Sequence, residues 1–147
     1  MSVMRIKLIT KVRKIMPQNK LKREDLIYPE LSYKIVGILF NTGKEVSFGH
    51  KENFYQKALM EAFRQAGLEV KEQVPIKMYY RNKFIGIYYL DFLIENKIIL
   101  EIKSKSFFSK KDIDQIYSYL KAGNMKLGIL AHFTRSEVLF KRILNLS

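Results

Sequence analysis

Ile85-Gly86-Ile87-Tyr88-Tyr89-Leu90-Asp91-Phe92-Leu93-Ile94, then Glu95-Asn96-Lys97, then Ile98-Ile99-Leu100-Glu101-Ile102-Lys103 is the stretch that decides how this chain folds. The two apolar runs read as paired strands. The three residues between them read as a tight turn, with Asn96 able to take the left-handed conformation of a short hairpin loop. If Ile94 faces Ile98, then Leu93 lies opposite Ile99 and Asp91 opposite Glu101. Side chains alternate along a strand, so Leu90, Phe92, Ile94, Ile98, Leu100 and Ile102 should share one apolar face, and Asp91, Glu101 and Lys103 the other. Opposed residues have Cβ atoms roughly 5 Å apart, and like charges placed there destabilise a sheet. Two carboxylates so placed are most simply explained by a divalent cation, with a lysine beside it. Solvated Glu and Lys on an open strand face are the plainer alternative. Leu93 and Ile99 weigh against that alternative: apolar residues on the charged face imply that it is covered, and carboxylates there need a partner or a metal.

Length and composition bound the remaining possibilities. A chain of 147 residues fits one domain, and 48% apolar residues with nine Tyr and ten Phe suit a packed core. The absence of Cys removes disulfides and thiolate zinc sites and fits a reducing, cytoplasmic setting. His50 and His132 are the only histidines, too few for a histidine-built metal site, and each is expected on the surface or in a loop. No apolar run reaches the length of a membrane span, and the N-terminus lacks the pattern of a signal peptide. Lys and Arg outnumber Asp and Glu 27 to 14, a net charge of +13. That excess points to a polyanionic partner, nucleic acid ahead of anionic lipid.

Along the chain, residues 1–29 form a basic N-terminal extension and residues 30–147 the expected compact domain. The extension carries Arg5, Lys7, Lys11, Arg13 and Lys14, and Ile6, Ile9, Val12 and Met16 could make an amphipathic arm. Leu31, Ile35, Ile38 and Leu39 predict a first helix ending at Thr42-Gly43. A second helix is expected from His50 to Gln65, closed by Gly67, with Tyr55, Leu59, Ala62, Phe63 and Ala66 on one face. Glu52 lies one turn before Tyr55 on that inward side, where it could supply a third acid to the strand site; the plainer role is a first-turn Glu favoured by the helix dipole. Val70 to Tyr80 reads as a strand in which Pro75 implies an edge or a bulge. Ser109 is a good N-cap for a third helix, with Asp112 completing a capping box and Ile113, Ile116, Tyr117 and Leu120 as its core stripe. Gln115 and Tyr119 share another face of that helix. Lys126 to Phe133 reads as a buried strand, and Val138 to Leu144 as a strand or short helix. The order predicts an α/β fold, a mixed sheet flanked by helices.

Gly49-His50-Lys51-Glu52-Asn53-Phe54-Tyr55 resembles the signature of the GxxExxY proteins, a family within the PD-(D/E)XK nuclease-like superfamily. Gln65-Ala66-Gly67-Leu68, Gln73-Val74-Pro75, Leu90 to Lys97, Glu101-Ile102-Lys103, Gln115 with Tyr119-Leu120, and Lys141-Arg142-Ile143 follow in the family's order and spacing. The resemblance spans roughly Leu31 to Ile143. It implies the restriction-endonuclease-like core. It maps Asp91 onto the first acid, Glu101 and Lys103 onto the (D/E)XK triplet, Glu52 onto a helix acid, and Gln115 onto a glutamine that follows the motif. The chain departs from the pattern at Leu90, where the superfamily has proline, and at Asp112, where the family often has His. A His-Arg pair common before the family's glycine is missing around Gly43 to Glu45.

The expected activity is metal-dependent hydrolysis of phosphodiester bonds in nucleic acid, DNA ahead of RNA. Asp91, Glu101 and the Ile102 carbonyl would hold Mg²⁺ or Mn²⁺, hard cations that prefer oxygen ligands. Lys103 would orient the attacking water and stabilise charge at phosphorus. Glu52 and Gln115 would support the site, while Lys110, Lys111 and the basic extension would grip phosphates. A homodimer would suit cutting of both strands. The competing class is a non-catalytic nucleic-acid-binding module on the same fold, and a third is a membrane-surface protein using the basic arm. The pairs Tyr79-Tyr80 and Tyr88-Tyr89 could stack on bases, though packing within the sheet is their commoner use.

Overall fold

The computed structural model describes residues 27–147. Helix α1 (Pro29–Val46) opens on a proline, whose fixed φ suits a first helical turn. Helix α2 (Glu52–Gln65) follows, then strands β1 (Val70–Tyr80), β2 (Lys83–Ile94) and β3 (Ile98–Lys103), helix α3 (Lys110–Ala122), and strands β4 (Leu127–Phe133) and β5 (Val138–Leu144). The five strands lie in the order β1-β2-β3-β4-β5. β3 and β4, joined through α3, run parallel, and every other neighbouring pair is antiparallel. This is the mixed α/β sheet expected from the sequence, and the final segment resolves as a strand.

Two apolar cores sit on opposite faces of the sheet. α1 and α2 bring Ile35, Leu39, Tyr55, Leu59 and Phe63 onto Phe92, Ile94, Ile98, Leu100 and Ile102. α3 brings Ile116, Tyr119 and Leu120 onto Leu90, Ile99, Leu130 and Ile143 on the other side. Fully burying one such side chain contributes about 1.5–3 kcal/mol, so these faces supply most of the drive to fold. Pro75 lies in β1, an edge strand, where its missing N–H does least harm. Gly67 closes α2 at φ 75° and Ser109 caps α3 by accepting from the Asp112 N–H, both as predicted.

Four expectations change. Leu90 does not share a face with Phe92; it packs with Ile99 and Ile116. Gln73 takes a left-handed φ of 53° between the pairs Glu72↔Phe92 and Val74↔Leu90, and the alternation changes phase there. Thr42-Gly43 does not end α1, which continues to Val46 with both residues buried inside it. Gly43 is required for approach instead: a Cβ there would come within 2.7 Å of Val138 Cγ2. In α3, Tyr119 is buried and Tyr117 exposed, because the helix is turned toward Asp112 and Tyr119. His132 is fully buried within β4, not on the surface.

Candidate functional site

The β2–β3 ladder runs Ile94↔Ile98, Leu93↔Ile99 and Phe92↔Leu100 and then stops. At the next position side chains take over from backbone. The Asp91 N–H donates to Glu101 Oε1 at 2.9 Å, and the Ile102 N–H donates to Asp91 Oδ2 at 2.9 Å. The strands therefore part at the facing carboxylates. Each acid is anchored by a backbone N–H of the opposite strand, which fixes both without neutralising either.

Burial decides the electrostatics. Glu101 is only 7% exposed, and desolvation followed by the neighbouring Asp91 charge pushes its carboxyl up to about 8. Asp91 is raised too, chiefly by burial and less by Glu52, with the Ile102 N–H and the Lys103 charge pulling the other way. Lys103 thus lies close enough to act on both acids, as its place on the same strand face requires. Near neutral pH this pair carries less negative charge than two free carboxylates. A divalent cation would relieve the strain.

The structure brings other expected residues to the same end of the sheet. Glu52, in the first turn of α2, accepts from the Ser104 N–H at 3.0 Å and the Ser104 hydroxyl at 3.2 Å, tying α2 to the residue after Lys103. Gln115 bonds to Tyr119, and Tyr119 in turn feels the charges of Glu101 and Asp91; burial first, then those charges, raises its hydroxyl. Gln115 therefore reaches the acid pair through Tyr119. Lys110 pairs with Asp114 at 2.7 Å on open surface at the start of α3, and Lys111 is exposed beside it. Arg5, Lys7, Lys11, Arg13 and Lys14 lie outside the described residues.

Three contributors escaped the sequence reading. His132 pairs in register with Lys103 across β3–β4, and its Nδ1 lies 3.0 Å from the Lys105 carbonyl, to which it donates. Burial lowers its pKa, and Nε2 is left without a partner in the structure. Asp112, expected only as the capping partner of Ser109, keeps that contact and also takes the Lys105 ammonium at 2.8 Å. Arg135 lines a cleft with Ser104, Ser106, Thr134, Ser136 and Glu137 beyond the ends of β3 and β4. Ends of parallel strands are where open α/β sheets commonly bind ligands. No spacing rule links these residues to the acid pair: the β3–β4 pairing brings in His132, the helix α3 brings Asp112, and the turn after β4 brings Arg135.

Among the described residues no three Asp, Glu or His side chains converge as a ready-made metal cluster. The two anchored carboxylates still fit an Mg²⁺-type ion, which usually takes one or two protein carboxylates and keeps several waters.

The mixed five-stranded sheet with three helices is an α/β fold consistent with a restriction-endonuclease-like core. The model of the PD-(D/E)XK nuclease superfamily matches residues 29–143, and the chain belongs to that superfamily, whose members typically use divalent metal ions and act on nucleic acid. A search of curated proteins finds no significant match. Among solved structures, the crystal structure of SSO0001 is similar in fold at 16% identity and a TM-score of 0.51, over 95% of this chain and 75% of that one. Among the described residues no helix is long and apolar enough to cross a membrane.

Proposed function

We propose that this chain is a metal-dependent nuclease of the GxxExxY type that hydrolyses phosphodiester bonds, in DNA ahead of RNA. The observation that carries the reading is the pair Asp91 and Glu101, buried, facing across parted strands, and each fixed by a backbone N–H. A strand residue points its N–H and C=O to the same side. The Ile102 carbonyl should therefore face the gap that its N–H already occupies, as a third oxygen ligand beside the two acids.

In this reading Asp91 and Glu101 hold the cation, and Lys103 supports the site from the same strand face. The metal, when bound, would polarise the phosphate and make a water nucleophilic near neutral pH. Lys103 orients that water and stabilises charge growing on the phosphate oxygens. Glu52 restrains the strand end through Ser104 and adds negative charge toward Asp91. Gln115 holds the Tyr119 hydroxyl beside the acids. Lys110, Lys111 and the basic residues of 1–26 contact phosphates without reading sequence.

Asp91→Asn tests this directly, because the amide oxygen can still accept from Ile102 while the charge is lost. Wild type should cut mixed DNA and RNA substrates in Mg²⁺ or Mn²⁺ and stop in EDTA. Asp91→Asn should lose at least about 100-fold in rate, in line with loss of a preorganised electrostatic group. Salt-sensitive binding that EDTA leaves untouched, with no cutting, would make the chain a binding module instead.

A further inference from the structure

The β1–β2 hairpin extends beyond the rest of the sheet. β1 and β2 pair from Val70↔Ile94 to Tyr80↔Lys83, whereas β3 pairs only with Phe92, Leu93 and Ile94 of β2. On the projecting part, Tyr79, Tyr80, Phe84 and Tyr89 are 59, 60, 50 and 58% exposed. Residues 74–90 contain three cations, Lys77, Arg81 and Lys83, and no acidic residue. Arg81 lies over the Tyr80 ring at 5.2 Å, and Tyr79 meets Phe84 edge-on at 5.9 Å.

We propose that this hairpin is a base-stacking arm, so that the substrate carries a single-stranded segment next to the phosphodiester that is cut. The proposal rests on the nuclease reading for its cut site and on the hairpin alone for its binding. Exposed rings interleaved with cations suit unpaired nucleic acid, because every base offers a π-face and the cations follow the backbone. A duplex keeps its bases stacked inside, where these rings cannot reach. A second copy of the chain fits less well, since a symmetric contact would set two all-cationic hairpins against each other. The arm is continuous with the strand that carries Asp91: Tyr89 is two residues from it, about 7 Å along the strand, and the tip at Asn82 is about 30 Å away at ~3.3 Å per residue. Alternation puts Tyr89 on the sheet face opposite Tyr88 and Leu90.

The test uses the full chain in EDTA and follows anisotropy of a labelled oligothymidylate of about twenty nucleotides and a duplex of the same length. Tyr80→Ala with Tyr89→Ala should weaken oligothymidylate binding by roughly 25-fold or more, about fivefold for each lost ring, and change duplex binding by less than about twofold. Tyr80→Phe with Tyr89→Phe should stay near wild type, since the rings remain. All these residues are exposed, so melting temperatures should match. Unchanged oligothymidylate binding, or equal losses on both probes, would overturn the arm. So would light scattering that shows a wild-type dimer and a monomeric Ala variant. Metal-dependent cutting is scored separately. The selective loss without cutting supports the arm and removes the nuclease; cutting without the selective loss does the reverse.

Discussion

Glu101 shows what burial does to a single charge. With its pKa raised from 4.5 to about 8, the folded chain keeps a proton that the unfolded chain releases between those values. More protons bound in the native state means that stability falls as pH rises through that window, by up to about 1.4 kcal/mol per pH unit for one group. His132, lowered by burial, acts in the opposite sense below its ordinary 6.5. Comparison of wild type with Glu101→Gln isolates the carboxylate. In EDTA, wild type should lose several degrees of melting temperature from pH 5 to 8 relative to Glu101→Gln, and Mg²⁺ should restore part of it at pH 8. Parallel profiles would mean that Glu101 is solvated and ionised throughout. Glu52→Gln should keep the bonds from Ser104, leave melting within about 0.5 kcal/mol as surface changes usually do, and weaken metal binding by removing charge near Asp91. Calorimetric titration with Mn²⁺ reads that loss, and unchanged affinity would remove Glu52 from the site.

At the scale of elements, two glycines mark where helices meet the sheet. A Cβ on Gly43 would lie 2.7 Å from Val138 Cγ2, and one on Gly128 would lie 2.6 Å from Ile116 Cγ2. Gly43→Ala should therefore loosen α1 from β5, and Gly128→Ala should lift α3 from β4, each by about 1–3 kcal/mol of overpacking. Urea unfolding measures both. Gly128→Ala should also impair the acid pair, because α3 carries Tyr119 toward Glu101; Gly43→Ala should not. Ser109→Ala should cost about 1 kcal/mol through the lost cap on the Asp112 N–H. A cost near zero there would mean that water replaces the hydroxyl.

For the whole molecule, the net charge of +13 makes binding a salt-dependent event. Affinity for any nucleic acid should fall steeply between about 50 and 200 mM salt, with a slope that counts the phosphates engaged. Removing residues 1–26 should make that slope shallower if their cations take part, and leave it unchanged if they do not.

The division between what was legible and what was not follows the range of the forces. Local pattern determined the hairpin register that sets Asp91 against Glu101, the caps at Gly67 and Ser109, and the buried strand β4. Alternation, turn chemistry and capping act over a few neighbouring residues, so they can be read along the chain. Tertiary structure alone decided that Leu90 changes face at Gln73, that Gly43 serves β5 rather than ending a helix, and that Tyr119 turns inward. It also decided that His132 is buried beside Lys103, and that the tyrosines of the β1–β2 hairpin remain exposed. Those outcomes depend on which distant surfaces compete to cover a residue, and no spacing within the sequence encodes that competition.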